Sequence, residues 1–142
     1  MSQKLWGGRF KKKINPDFER FSASFQWDRR LLPYDLEIDA AHVKALAKCK
    51  VLNSAEAKKL LAAIGKLSTK HRSGKLTLNK NSEDVHSAVQ QELEKLVGGL
   101  ADKIHTGRSR NDLVSQSSRL YCKDHAAQIV KLLVSLQKEI ML

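Results

Sequence analysis

The sequence predicts an all-α fold, and three observations carry that expectation. Apolar residues recur at helical spacing in four separate stretches, near residues 33–48, 54–70, 83–97 and 109–142. Helix-starting residues stand ahead of them: Pro33, Asn53 with Glu56, Ser82, and Asn111 or Asp112. Strand-like alternation is confined to a short Leu76–Leu78 passage within a polar connection, which leaves room for no more than a short strand pair.

Taken in order, residues 1–30 hold most of the aromatics, Trp6, Phe10, Phe18, Phe21, Phe25 and Trp27, with weak periodicity. They read as an extended arm with one short helix around 17–22 and Pro16 in its first turn. Aromatics spread along an arm anchor it onto another surface, which is the role expected of Trp6 and Trp27. From Pro33 the stripe Leu36, Ala40, Val43 and Ala47, flanked by Leu32 and Leu46, predicts a helix to about Lys48. His42 lies beside that stripe as a packed or half-exposed helix histidine rather than a ligand. Asn53 and Glu56 form a capping box before a helix whose apolar face is Ala57, Leu60, Leu61, Ile64 and Leu67, ending ahead of Ser73-Gly74.

Ser82 is expected to cap the next helix, with Glu83 and Asp84 in its first turn at the positive end of the helix dipole. Val85, Ala88, Val89, Leu93, Leu96 and Val97 give it one apolar face, and Gly98-Gly99 stop it. On the residues alone, His86 is a helix-start histidine making a local hydrogen bond. In the last stretch Leu113, Leu120, Ala127, Val134 and Met141 recur every seven residues, a bundle seam. From Ile129 onward Val130, Leu132, Leu133, Leu136 and Ile140 join them, so the helix is apolar nearly all round and suited to burial on several sides.

The composition narrows the function. The net charge of +11 is carried by lysines scattered along the chain, without the interleaved aromatics of a nucleic-acid stacking platform. A solvated basic surface is expected, with some steering of anionic small molecules, and neither nucleic acid nor membrane as partner. No run approaches the roughly 20 apolar residues of a membrane span. The first residues, with Gly7-Gly8 and then Lys11-Lys12-Lys13, lack a secretory apolar region, so a cytoplasmic protein is expected. Cys49 and Cys122 have no zinc or disulfide spacing, so no metal and no cofactor is expected.

The chemistry concentrates in His105-Thr106-Gly107-Arg108-Ser109-Arg110-Asn111-Asp112, directly before the long helix. Free N–H groups at a helix start, beside arginines whose rigid fork matches a carboxylate, make an anion site. A solvated loop with Asn111 or Asp112 as the helix cap accounts for the same residues.

That run resembles the substrate-binding signature of the argininosuccinate lyase family, within the fumarase/aspartase superfamily. Three further stretches fall in the family's order and at its spacing. Leu5-Trp6-Gly7-Gly8-Arg9-Phe10 is similar to its N-terminal motif. Phe21-Ser22-Ala23-Ser24 followed by Asp28 is similar to its first substrate-contacting segment, and Glu83-Asp84-Val85-His86 to its helix start. The resemblance covers essentially the whole chain but only the beginning of the family's longer sequence. It implies cleavage of argininosuccinate to arginine and fumarate by β-elimination, in a homotetramer whose sites are assembled from several subunits. It implies that Arg110 and Asn111 grip the succinate carboxylates with Ser109 assisting, and that Ser24 and Asp28 make polar contacts to the substrate. By the same token His86 faces the cleft and assists, while Thr106 and Arg108 brace the loop.

The resemblance further implies an N-terminal helical domain over 1–108 and the start of a long central-bundle helix over 109–142. The family's proton-abstracting serine, a Thr-His segment and a substrate-binding lysine lie downstream of Leu142, so the chain alone is expected to be inert. Departures are Lys50 and Asp102 where the family has Gly, Gln90 where it has Glu, and Leu113 where it has Gln. Lys50 must then take a positive φ or the turn changes shape. A non-catalytic crystallin-like relative, a lyase of another succinyl compound and a basic helical nucleic-acid module are the alternatives.

Overall fold

The computed structural model describes residues 15–141, and every element among them is helical. Six α-helices run in order: α1 (Pro16–Ser22), α2 (Phe25–Asp28), α3 (Leu32–Lys48), α4 (Ser54–Arg72), α5 (Val85–Val97) and α6 (Arg110–Ile140). One 3-10 turn, Arg29–Leu31, joins α2 to α3, and a longer 3-10 run, Gly98–His105, follows α5. The Trp-Gly-Gly-Arg-Phe motif and the Lys11–Lys13 run lie outside the described residues.

Local chemistry sets most boundaries. Asn15 accepts from the Asp17 N–H at 2.8 Å and Pro16 occupies the first turn of α1. At α4 both halves of the expected capping box form: Glu56 N–H to Asn53 Oδ1 at 2.9 Å, and Asn53 N–H to Glu56 Oε2 at 3.0 Å. The ends of α3 and α4 are the same motif built on different residues. Lys50 and Val51 donate back to Ala47 and Leu46, and Gly74 and Lys75 donate back to His71 and Lys70. The residue that must turn left-handed is Gly74 in one case (φ 67°) and Lys50 in the other (φ 59°). A side chain there costs roughly 1–2 kcal/mol, against which a glycine loses some unfolded-state entropy. Lys50→Gly should therefore raise stability by about 0.5–1 kcal/mol. Chemical denaturation checks this, and an unchanged or lowered midpoint contradicts it.

The core lies among α3, α4, α5 and the second 3-10 run. Val43, Leu60, Ile64, Leu67, Val85, Val89, Leu93 and Ile104 are all essentially inaccessible there. The buried stripe of α3 is Leu32, Asp35, Leu36, Asp39, Val43 and Leu46, with Ala40 and Ala47 only partly covered. It is thus rotated from the predicted Leu36–Ala40–Val43–Ala47 line, and two aspartates share it. Helix α5 begins at Val85 with Asp84 as its cap, so Ser82 is displaced from the capping role; it is buried and faces Gln91 Oε1 at 3.4 Å.

Helix α6 packs on α3 only through its first half. Leu113 and Ser117 are buried, the Tyr34 hydroxyl donates to Asp124 Oδ2 at 3.0 Å, and Tyr121 meets Tyr34 edge-on. Beyond that, Ile129, Val130, Leu132, Leu133, Leu136 and Ile140 are all exposed. Of the described arm aromatics, Phe18, Phe21 and Trp27 are also uncovered within this chain, Phe21 at 88 %, and Phe25 is buried, so Trp27 does not anchor the arm to its own chain. No helix among the described residues is long and apolar enough to cross a membrane.

Candidate active-site wall

Three elements converge on the first turn of α5. From α2, Asp28 receives the Val85 N–H on Oδ1 at 3.0 Å and the Ser24 hydroxyl on Oδ2 at 2.6 Å. The backbone N–H groups of Ser24 and Phe25 both donate to the Glu83 carbonyl, so the segment is pinned to α5 along its length. From α6, the two terminal nitrogens of Arg110 divide their donors: Nη1 to Asp84 Oδ2 at 2.7 Å, Nη2 to Ser87 Oγ at 3.0 Å. Asp84 Oδ1 meanwhile caps α5 by accepting from the Ser87 N–H at 2.7 Å. One carboxylate therefore starts a helix and holds an arginine. From α3, Asp35 Oδ1 meets His86 Nδ1 at 2.7 Å, with both side chains buried.

The loop ahead of α6 is fixed in its own way. Ser109 is the cap, accepting from the Asn111 N–H at 2.9 Å, and Asp112 Oδ2 reaches back to the Ser109 N–H at 3.3 Å. This is a Ser-x-x-Asp box, so neither Asn111 nor Asp112 is the cap; Asn111 stays exposed. Gly107 supplies the left-handed turn (φ 70°). His42 Nε2 contacts the Thr106 carbonyl at 3.0 Å, and Arg108 drops inward to pair with Asp39, both side chains buried. Arg108 thus braces the loop, as its position led one to expect.

The charges beneath this surface are unusual for a core. Burial, and then the neighbouring Asp35, push the Asp39 carboxyl up to about 6 despite its Arg108 partner. Burial works to depress His86, but the Asp35 hydrogen bond and charge, reinforced by Asp84 and Asp28, more than reverse it, and the imidazole is held above its ordinary value. Burial, then Arg108 and Arg110, hold His105 below its own. Asp28 is raised, mainly by burial.

These shifts fix the sign of a pH dependence. Folded Asp39 binds a proton more readily than unfolded aspartate, so stability is gained as pH falls through about 6. His86, raised, contributes stability that is present below the unfolded histidine value and lost as pH rises through its folded value. His105 opposes them, losing stability as pH falls past the unfolded histidine value. The thermal midpoint should therefore rise as pH is lowered from about 8 to about 6. A flat profile, or a midpoint higher at the alkaline end, contradicts the arrangement.

Of the residues singled out in the sequence, Ser24, Asp28, His86 and Arg110 meet at the start of α5, Ser109 serves as a cap, and Asn111 stands exposed on the first turn of α6. Asp35, Asp39 and Ser87 were missed. Asp35 and Asp39 carried a signal, since they fall four apart within the Leu32, Leu36, Val43, Leu46 register. The departures Gln90 and Asp102 prove to be one feature: Gln90 Nε2 donates to Asp102 Oδ1 at 3.0 Å. An amide there supplies a donor where a second carboxylate would repel. The charge partner of His86 comes from α3 rather than from position 90. An open hollow of about 640 Å³ along α4, lined by Gly65, Lys66 and Thr69 among others, is formed by residues that take no part in this convergence. Among the described residues no group of three or more His, Cys, Asp and Glu could hold a metal ion.

Comparison with known proteins shows the family. A family model described as Lyase matches residues 8–141. The chain is 39 % identical over 138 residues to an argininosuccinate lyase of Syntrophobacter fumaroxidans, covering 97 % of this chain and 30 % of that protein. It is 42 % identical over 134 residues to the argininosuccinate lyase of Clostridium kluyveri, covering 94 % and 31 %. To that of Legionella pneumophila it is 39 % identical over 137 residues, covering 96 % and 33 %. The chain spans about a third of the length of these relatives, in their N-terminal portion. With nearly every residue inside the match, and the helix starts that carry its motifs joined through Asp84, the chain belongs to the lyase family.

Proposed function

We propose that this chain forms one wall of the substrate site of an argininosuccinate lyase acting in the cytoplasm. The observation that carries the reading is the joint of α5 and α6, where Arg110 forks between Asp84 and Ser87 on the one turn that also receives Asp28 and presents His86. β-Elimination removes a proton α to a carboxylate and expels the guanidinium nitrogen, and the developing dianion is stabilised by donors fixed before reaction. The Arg110 N–H groups not engaged by Asp84 and Ser87, the Asn111 amide and the start of α6 supply such donors. Ser24 and Asp28, tied to each other, offer a carboxylate suited to the cationic end of the substrate.

A grip without a base provides binding but no proton transfer, so the chain alone should release no fumarate from argininosuccinate. It should also self-associate. The apolar residues from Ile129 to Met141 are exposed together, the kind of face that monomers seldom leave to water, and in a tetramer they would enter a shared helical bundle. Size-exclusion chromatography with light scattering checks this; a strict monomer at all concentrations tested contradicts it.

The test of activity is a chimera in which this chain replaces the matching stretch of the Clostridium kluyveri relative. Fumarate release is expected. A folded, oligomeric chimera that neither binds nor cleaves argininosuccinate would overturn the reading.

A further inference from the structure

Asp35 has a role that packing does not explain. It lies on the buried stripe of α3, wholly inaccessible, where an apolar residue would complete the Leu32–Leu36–Val43–Leu46 register. A carboxylate in such a place is costly unless something compensates it. Its Oδ1 contacts His86 Nδ1 at 2.7 Å, while Oδ2 has no hydrogen-bond partner among the described residues. With Nδ1 engaged from the core side, the ring has Nε2 left for anything outside. The same imidazole follows Val85, whose N–H is held by Asp28, and lies two residues past Asp84, which holds Arg110. The ring is therefore gripped from within at the turn where the donors converge.

We propose that Asp35 is a positioning residue: it fixes the His86 ring through Nδ1–H, so that Nε2, protonated in the imidazolium, is the donor presented to a carboxylate of the substrate. The inference rests on the reading of the α5–α6 joint as an anion grip, and adds how His86 takes part in it. A carboxylate on one ring nitrogen selects the tautomer with its proton there and stabilises the imidazolium. The charged groups around the ring favour that cation. Asp35 and Asp39 act from α3, Asp28 from α2 and Asp84 from the cap of α5, while His105 opposes them from the 3-10 run and Arg110, from α6, is held on Asp84 and Ser87. Arg108, beneath the loop, is already paired with Asp39. In this role His86 donates a hydrogen bond and abstracts no proton, so no bond is made or broken at the ring.

Nitrogen-15 NMR of the His86 ring, titrated in the full chain and identified by its loss in His86→Gln, tests the proposal. In the unmodified chain Nδ1 should keep its proton throughout, and Nε2 alone should titrate. In Asp35→Asn the proton affinity of the ring should fall about tenfold or more, as expected when an adjoining opposite charge is removed. Asp39→Asn, one turn along α3, should leave Nδ1 protonated. A neutral ring carrying its proton on Nε2 in the unmodified chain would overturn the proposal, as would an affinity changed less than about twofold in a folded Asp35→Asn. If that variant does not fold by circular dichroism, the tautomer in the unmodified chain decides alone. An inactive chimera with the ring still held on Nδ1 would remove the lyase reading and leave Asp35 in its role. An active chimera with a free ring would do the reverse.

Discussion

Arg108→Leu should destabilise the chain by about 3–5 kcal/mol near neutral pH, the effect of removing one partner from a buried ion pair. The guanidinium of Arg108 and the carboxylate of Asp39 are 6 % and 4 % exposed, and Asp39 lies one helical turn from a second buried carboxylate, Asp35. Without Arg108, two acids would share the interface of α3 with no cation but His86 near them. Asp39, already raised to about 6, would rise further and take a proton, so the deficit should shrink as pH is lowered. Adding Asp39→Leu to Arg108→Leu should recover most of the loss, because an apolar pair of similar volume avoids desolvating two charges. Denaturant titration at two pH values separates these outcomes. A single variant within about 1 kcal/mol of the parent at neutral pH would mean that the pair is solvated.

Arg110→Lys is the second large effect, and it falls on catalysis. Arg110 holds two partners from one plane, Asp84 Oδ2 and Ser87 Oγ, and its side chain stays 30 % exposed. A lysine offers one nitrogen on a flexible stem, which can satisfy Asp84 or Ser87 but cannot also present a planar edge to an anion. The loss of transition-state binding should be on the order of 2–4 kcal/mol, comparable with removing one oxyanion donor. Stability should change far less, since the group is not fully desolvated and the charge is kept.

How much of this was legible in the sequence depends on whether a feature is local. Pro16, the Asn53–Glu56 box and the left-handed Lys50 rest on contacts within five residues, and the structure has each as read. The unpartnered face beyond Ile129 was legible because α3 can cover only one side of a helix that is apolar on all of them. The phase of α3 was not. Following the apolar residues alone put the stripe on Ala40 and Ala47, whereas Asp35 and Asp39 turn inward because His86 and Arg108, 51 and 69 residues away, are there to meet them. The cap of α5 failed for a related reason. Ser82 and Asp84 are both competent caps, and the choice falls to Asp84 in a turn that Asp28 and Arg110 hold from other helices. The 3-10 run had a faint mark in Ala101 and Ile104, buried three apart, the spacing at which a 3-10 helix superposes its side chains.

The central claim, that the α5–α6 joint grips the anionic substrate of a lyase, is tested most directly by the kinetics of Arg110→Lys in the chimera with the Clostridium kluyveri relative. The account predicts that kcat/KM for argininosuccinate falls by roughly thirty-fold to nearly a thousand-fold, with oligomeric state and helical content unchanged. A variant whose kcat/KM stays within about two- to three-fold of the parent chimera would contradict it, because Arg110 would then do no more than fasten α6 to α5.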